Sequence, residues 1–172
     1  MSREVVYTGR RIKVAIDTQT APDGQTLRRD LILHPGAVVI LPILDREHVV
    51  LLRNYRFVID ETLWEVPAGT REPDEPPEEC AQRELLEETG YHAARWRSLG
   101  FLYASPGVLD EKLHLFVAEE LTPGPASPEP DEQLEPVTVR LDDAIRMCLS
   151  GEIKDAKTVT SLLLWERMTR PG

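Results

Sequence analysis

The sequence predicts an α/β or α+β sandwich, and three observations carry that prediction. Short apolar or alternating runs recur between turn signals from Arg11 to Arg140. One helical stretch interrupts them near residue 80, and two more follow at the C-terminal end. No linker, repeat or break in composition divides the 172 residues, so residues 1–172 are expected to form one domain around one sizeable core.

The elements follow in order. In Arg11–Asp17 the β-branched Ile12, Val14 and Ile16 fall on one face, which predicts a strand. Pro22-Asp23-Gly24 is a turn signal, and Leu27–His34 can pair back across it. Residues 1–34 are therefore expected to supply N-terminal antiparallel strands. Ala37–Leu44 is an almost continuous apolar run and reads as a buried strand. His48–Tyr55 reads as its hairpin partner across Asp45-Arg46-Glu47. Leu63–Val66 is a short strand running into Pro67-Ala68-Gly69, and Leu99–Tyr103 and Lys112–Glu119 are further strands. Thr122–Gln133 has four prolines and reads as a loop, because proline removes ladder donors. Pro136–Arg140 predicts a last strand, and Leu141–Leu149 and Asp155–Met168 predict helices.

Composition limits function. Lys+Arg is 20 and Asp+Glu is 30, a formal net charge of −10. A nucleic-acid backbone needs clustered positive charge, so that partner is excluded as the main one. A small anionic substrate remains allowed if acids recruit a divalent cation to bridge to it. Cys80 and Cys148 match no zinc or redox spacing, and the four histidines form no metal pattern. Free thiols, no signal peptide at the N-terminus and no apolar run of membrane-spanning length lead to the expectation of a cytoplasmic protein without a membrane partner.

The chemistry concentrates between Gly69 and Gly90. Pro76-Pro77 suits the first turn of a helix, and Gly90 suits a left-handed cap at its end. At 3.6 residues per turn Glu84, Glu87 and Glu88 share one side. Glu84 and Glu88 repel across one turn by a few tenths of a kcal/mol. Glu87 and Glu88 also sit in the last turn, where the helix dipole disfavours anions by roughly 0.3–1 kcal/mol. Helix stability alone would place these acids at the other end. A hard divalent cation reverses the sign of the interaction, since Mg²⁺ takes carboxylate and phosphate oxygens. A solvated acidic face is the bland alternative. The apolar neighbours Ala81 and Leu85 argue against it, because they pack the helix down beside its acids.

Gly69, Glu75, Arg83-Glu84-Leu85, Glu87-Glu88 and Gly90 match the pattern Gly-x₅-Glu-x₇-Arg-Glu-Leu-x-Glu-Glu-x-Gly, and with it the chain resembles the Nudix hydrolase family. Tyr91 stands where that family usually has Ile, Leu or Val. His34-Pro35-Gly36-Ala37, Arg53-x-x-Arg56, Glu65-Val66-Pro67-Ala68-Gly69, Ser105-Pro106-Gly107 and Asp155-Ala156-Lys157-Thr158 extend the resemblance to its ADP-ribose pyrophosphatase branch. The resemblance implies an α/β/α sandwich of mixed sheets with a loop-helix-loop. It implies Mg²⁺, with Mn²⁺ as the alternative, held by Glu84, Glu87, Glu88 and the carbonyl of Ala68. It implies catalytic roles for Arg83, Glu87 and a later loop acid: Glu132, with Asp131 and Glu135 as rivals. The substrate class is a nucleoside diphosphate sugar, ADP-ribose first and GDP-mannose as the alternative, with a catalytically silent binding module as the rival from another class. A homodimer that exchanges its N-terminal strands is also implied.

Several residues carry two readings. Arg53 and Arg56 are either edge charges or a clamp on phosphate oxygens, and the resemblance favours Arg56 for the clamp. Arg28 and Arg29 are either solvated or reach a partner's substrate. Ser105 and Gly107 are turn residues or shape the substrate loop. The resemblance gives Glu111 a contact to the nucleoside sugar and places Glu65 among the substrate-binding residues. Tyr7 is the only aromatic before Tyr55, so base stacking by the N-terminal region has one candidate. Trp64 reads as packing, and Cys80 as a small buried residue. The proline-rich loop, with its acids, reads as a mobile catalytic lid or as a disordered insertion.

Overall fold

A computed structural model describes residues 2–125 and 133–169. The chain opens with an antiparallel meander of β1 (Ser2–Thr8), β2 (Lys13–Thr20) and β3 (Thr26–Leu33), in that order in the sheet. β2 and β3 correspond to the two strands read from the sequence, turned by Pro22-Asp23-Gly24 with Gly24 at φ 84°. β1 was not expected. All seven of its residues are exposed, so burial leaves no alternating pattern, and the ladder to β2 alone defines it.

β4 (Ala37–Pro42) is buried at every position. Val38 and Ile40 project to one side and Val39 and Leu41 to the other, which explains an apolar run without alternation. β5 (His48–Arg56) follows after an Asx turn in which Asp45 Oδ1 accepts from Glu47 N at 2.7 Å. The expected β4–β5 hairpin does not form. Beyond a single bridge, Ile43 to Val49, the strands diverge into different sheets. Parallel β9 (Lys112–Pro123) and short antiparallel β7 (Ala68–Thr70) occupy the edges of β4 instead. β8 (Tyr91–Tyr103) completes that four-stranded sheet, β7-β4-β9-β8. β8 begins eight residues before the expected Leu99, and β9 runs into Thr122 and Pro123, which had read as loop. Pro123 is tolerated because it ends its strand. β5 pairs with β6 (Glu61–Glu65) and β10 (Leu134–Arg140) in a third sheet.

Helix α1 (Pro77–Thr89) covers one face of the four-stranded sheet, with Cys80, Ala81 and Leu85 against Val38, Ile40, Phe116 and Ala118. Helices α2 (Leu141–Ser150) and α3 (Ala156–Thr169) enclose the other face, with Ala144, Ile145 and Leu162 among Val39, Leu41, Leu51 and Val117. The result is the α/β/α arrangement. α1 starts with Pro77 at its first position and ends at Gly90, φ 70°, whose N–H donates to Leu86 O at 2.9 Å. No basic residue stands in its last turn, so the acids there are offset only from one turn earlier, by Arg83. Asp155 caps α3: its Oδ2 accepts from Thr158 N at 2.9 Å and from Thr158 Oγ1 at 2.5 Å. Thr158 Oγ1 in turn accepts from Val66 N at 2.8 Å, which ties the start of α3 to the segment leading into β7.

Leu85 is fully buried between α1 and β4. Leu85→Ala should lower stability by about 2–5 kcal/mol, from lost burial plus a cavity. Urea unfolding checks this; the midpoint should fall with an unchanged slope.

Candidate active site

β7 and α1 face each other, and their approach sets the site. Gly69 in β7 lies so close to Glu84 that a Cβ there would sit 1.8 Å from the carboxyl carbon. Its φ is not in the left-handed region, so close approach, and not backbone conformation, is what demands glycine. One residue earlier, Ala68 N donates to Glu88 Oε2 at 2.9 Å. The two acids are 8% and 3% exposed, whereas the side chain of Glu87 is 34% exposed. The three carboxylates are therefore not equivalent: Glu84 and Glu88 point inward, and Glu87 lies toward the rim.

Arg83 organises the acids. It grips Glu75 with Nε and Nη2 at 2.9 and 3.1 Å, and Nη1 reaches Glu84 at 2.7 Å and Glu87 at 3.0 Å. The hydrogen bond from Arg83 holds Glu75 down at about 2, against the opposing effect of desolvation. The same contacts raise the pKa of Arg83 further. Glu75 also accepts from Glu72 N at 2.9 Å, and its carbonyl accepts from Arg71 Nε at 2.9 Å, so the loop before α1 is fixed at both ends. Cys80 is buried behind Arg83, and burial and the neighbouring Glu75 push its thiol up to about 12. It is a packing residue and not a nucleophile at neutral pH.

Arg71, Glu72 and Arg83 line a cleft of about 760 Å³ together with Ala68, Gly69, Glu84, Glu88 and Glu111. Six of the chain's 20 Lys and Arg residues face it: Arg10, Arg11, Arg56, Arg71, Arg83 and Lys157. A protein of net charge −10 thus gathers cations around a pair of buried acids. That is a place for an anion and a cation together. A second cleft, about 540 Å³ around Ile145 and Trp165, holds none of the α1 acids, and its Asp45 and Glu119 pair with His48 and Arg95.

The sequence-derived site residues divide. Arg56 lines the cleft, held by Glu65 through Nε at 2.7 Å and Nη2 at 2.6 Å. Glu65 itself is 1% exposed, lies under Arg56 and is not among the residues lining the cleft. Glu111 lines the cleft beside His34, at 3.3 Å. Ser105 and Gly107 are exposed and outside the wall, where Ala104 stands instead; their loop turns back to β3 through Ile32 N donating to Val108 O at 2.8 Å. Arg28 and Arg29 are exposed on β3, opposite Thr18 and Asp17 in register, and are not among the residues lining the cleft of their own chain. Glu132 and Asp131 lie outside the described residues. Glu135 is exposed on β10 opposite Arg53, whose guanidinium stacks 4.7 Å over Trp64. Trp64 packs against the core as read. Sequence reasoning missed Arg10, Arg11, Arg71 and Lys157. Arg10-Arg11 is a basic pair in an acidic chain, the same signal that drew attention to Arg28-Arg29.

The donor chemistry fits a hard divalent cation, with Glu84, Glu88 and the Ala68 backbone on one patch. No group of three or more acids, histidines or cysteines poised for a metal occurs among the described residues. Here Glu84 is turned to Arg83, and Glu88 to the Ala68 N–H.

The Glu75–Arg83 pair has a pH signature. Because Glu75 sits at about 2 when folded against 4.5 ordinarily, it contributes stability above pH 4.5 that is lost as pH falls toward 2. Glu75→Gln should therefore be less stable than the parent at pH 7, and the two urea midpoints should converge as pH falls below 4.5. Parallel midpoints across that range would mean that the pair contributes nothing.

Comparison with known proteins agrees with this geometry. Residues 33–162 match the NUDIX domain model, which begins where the N-terminal sheet ends. The chain is 36% identical over 164 residues to an ADP-ribose pyrophosphatase of Bacillus subtilis, covering 94% of this chain and 89% of that protein. It is 37% identical over 136 residues to a GDP-mannose pyrophosphatase of Citrobacter koseri, covering 74% and 71%. A crystal structure of an ADP compounds hydrolase superposes with a TM-score of 0.85 at 25% identity, covering 98% of this chain and 91% of that one. With its acid-bearing helix and the glycine that helix requires inside the matched region, the chain belongs to the NUDIX domain family.

Proposed function

We propose that this nucleoside diphosphate sugar pyrophosphohydrolase cleaves the diphosphate of ADP-ribose to AMP and ribose 5-phosphate, with Mg²⁺ or alternatively Mn²⁺. One observation carries the reading: two buried carboxylates, Glu84 and Glu88, face a cleft ringed by six cationic side chains. Glu84 and Glu88, with the carbonyl of Ala68 and help from Glu87, would hold the cation. When bound there, a divalent ion neutralises diphosphate oxygens and acidifies water. Arg56 presents the edge not used by Glu65 to a phosphate oxygen. Arg83 orients the acids and keeps Glu87 charged-paired at the rim. Glu111, in the lining of the cleft, would accept from a sugar hydroxyl.

A loop acid would orient or deprotonate the attacking water, and Glu132 is the choice. That choice rests on the resemblance, since Glu132 lies outside the described residues. Glu135 is exposed on the strand beyond and is the weaker rival.

GDP-mannose is the second reading, and a specific observation favours keeping it. No aromatic side chain is among the residues lining the described cleft, and Tyr7 is 58% exposed on β1. Base recognition within one chain is thus unassigned. A homodimer would supply it: β1 exposes Val5, Val6 and Tyr7 at 48–58%, and Arg28 and Arg29 are exposed on β3 outside the lining of their own cleft, where they would serve a partner's. Both cysteines are free thiols, which suits a cytoplasmic setting; no helix of the described residues is long and apolar enough to cross a membrane.

Incubation with ADP-ribose and with GDP-mannose in Mg²⁺, followed by product identification, tests the substrate; AMP and ribose 5-phosphate should form faster than GMP. Glu88→Gln should lower turnover at least about a hundredfold with an unchanged circular dichroism spectrum. Near-normal turnover would remove the proposed cation site. Glu132→Gln should lower kcat far more than it changes KM. An unaltered kcat there, with loss on Glu135→Gln or in the Asp131 variant, would transfer the water-handling role.

A further inference from the structure

The segment Asp155-Ala156-Lys157-Thr158 belongs to the start of α3, and the proposed reaction gives it no role. Its side chains nevertheless form a closed network with the strand that carries Glu65. Lys157 Nζ donates to Glu65 Oε2 at 2.6 Å and to Asp155 Oδ1 at 2.8 Å. Asp155 Oδ2 accepts from Thr158 Oγ1, and Thr158 Oγ1 accepts from Val66 N, the residue next to Glu65. Glu65 then takes both donors of one Arg56 edge. Thr158 is fully buried and Glu65 nearly so, while the side chains of Lys157 and Arg56 are 15% and 42% exposed. Burial alone would raise the Glu65 pKa, but Arg56 and Lys157 outweigh it and the net direction is down.

A buried Glu65 facing Arg56 alone would form a neutral pair, and the field of that pair on an anion in the cleft would be weak. Lys157 holds the Glu65 carboxylate from the other side and fixes it beneath Arg56; with Asp155 counted the four charges sum to zero, so what Lys157 sets is the position of the outward edge of Arg56. Asp155 holds Lys157 in line and is itself satisfied by the helix cap. From this geometry we infer that Lys157 is a positioning residue, acting on the diphosphate through Glu65 and Arg56. The inference rests on the proposed placement of a diphosphate at Arg56, and concerns binding more than the chemical step.

Calorimetric titration of the full chain with ADP, without added metal, reads this directly. Lys157→Met should weaken ADP binding about 5- to 10-fold, and Lys157→Arg should restore it to within about twofold of the parent. With ADP-ribose and Mg²⁺ the same loss should fall on KM and leave kcat within about twofold. In a Glu65→Gln background Lys157→Met should change ADP affinity by less than about twofold, because the intermediary has gone. An equal loss with and without Glu65 would overturn the inference and make Lys157 a direct ligand; parent-like affinity of Lys157→Met would overturn it as well. Circular dichroism and urea midpoints establish that each variant is folded. Parent protein that binds ADP and shows the coupling but hydrolyses no ADP-ribose would defeat the functional reading and leave the coupling standing. Normal hydrolysis without coupling would do the reverse.

Discussion

The guanidinium of Arg83 is the interaction on which the site depends. It reaches three carboxylates from one side chain, two of them on its own helix and one, Glu75, in the loop before it. Without it, Glu84, Glu87 and Glu88 would crowd the negative end of α1 with nothing on the helix to offset them. With it, the loop is closed against the helix, Glu84 is seated over Gly69, and Glu88 is left to meet the Ala68 backbone. Stability and chemistry pull in opposite directions here. The acids stand where a helix least tolerates them, and the fold holds them there.

The scaffold makes that arrangement rigid. β4 is buried on both faces, so α1 on one side and α2 and α3 on the other are fixed to the same strand. β7 pairs with β4 through only three residues, and two of these, Ala68 and Gly69, are the ones that meet α1. From the far side, α3 reaches the chain just ahead of β7 through Thr158 and Val66. The cleft therefore forms where the two layers are tied together, and its cations come from segments distant in sequence: Arg10 and Arg11 before β2, Arg56 at the end of β5, Lys157 in the first turn of α3.

What was legible in the sequence was whatever depends on local spacing. The α1 acids, the proline start, the Gly90 cap and the doubly buried β4 each have a signature within a dozen residues, and each was read from it. What was not legible depends on partners far along the chain. The hydrophobic pattern of β4 and β5 suits a hairpin, yet parallel pairing with β9 takes that edge, and nothing in either run encodes the choice. β1 is exposed throughout and gives no period to read, and in the first half of β8 only Tyr91, Ala93 and Trp96 turn to the core, each of them half-buried. Glu65 read as a substrate contact because its motif is local; its burial beneath Arg56 and Lys157 appears only when β5, β6 and α3 are brought together. Gly69 was read as one position of a motif, and its physical reason, the carboxylate of Glu84 resting on it, is a tertiary contact.

On the proposed function, Glu84 and Glu88 are tolerated at the closing turn of α1 because a divalent cation sits between them and a diphosphate. A crystal soaked with Mn²⁺ and a non-hydrolysable ADP-ribose analogue tests it most directly, by anomalous scattering. A Mn²⁺ peak is expected within coordinating distance of carboxylate oxygens of both residues and of a diphosphate oxygen. An ordered diphosphate in the cleft with no anomalous peak beside either acid would contradict it.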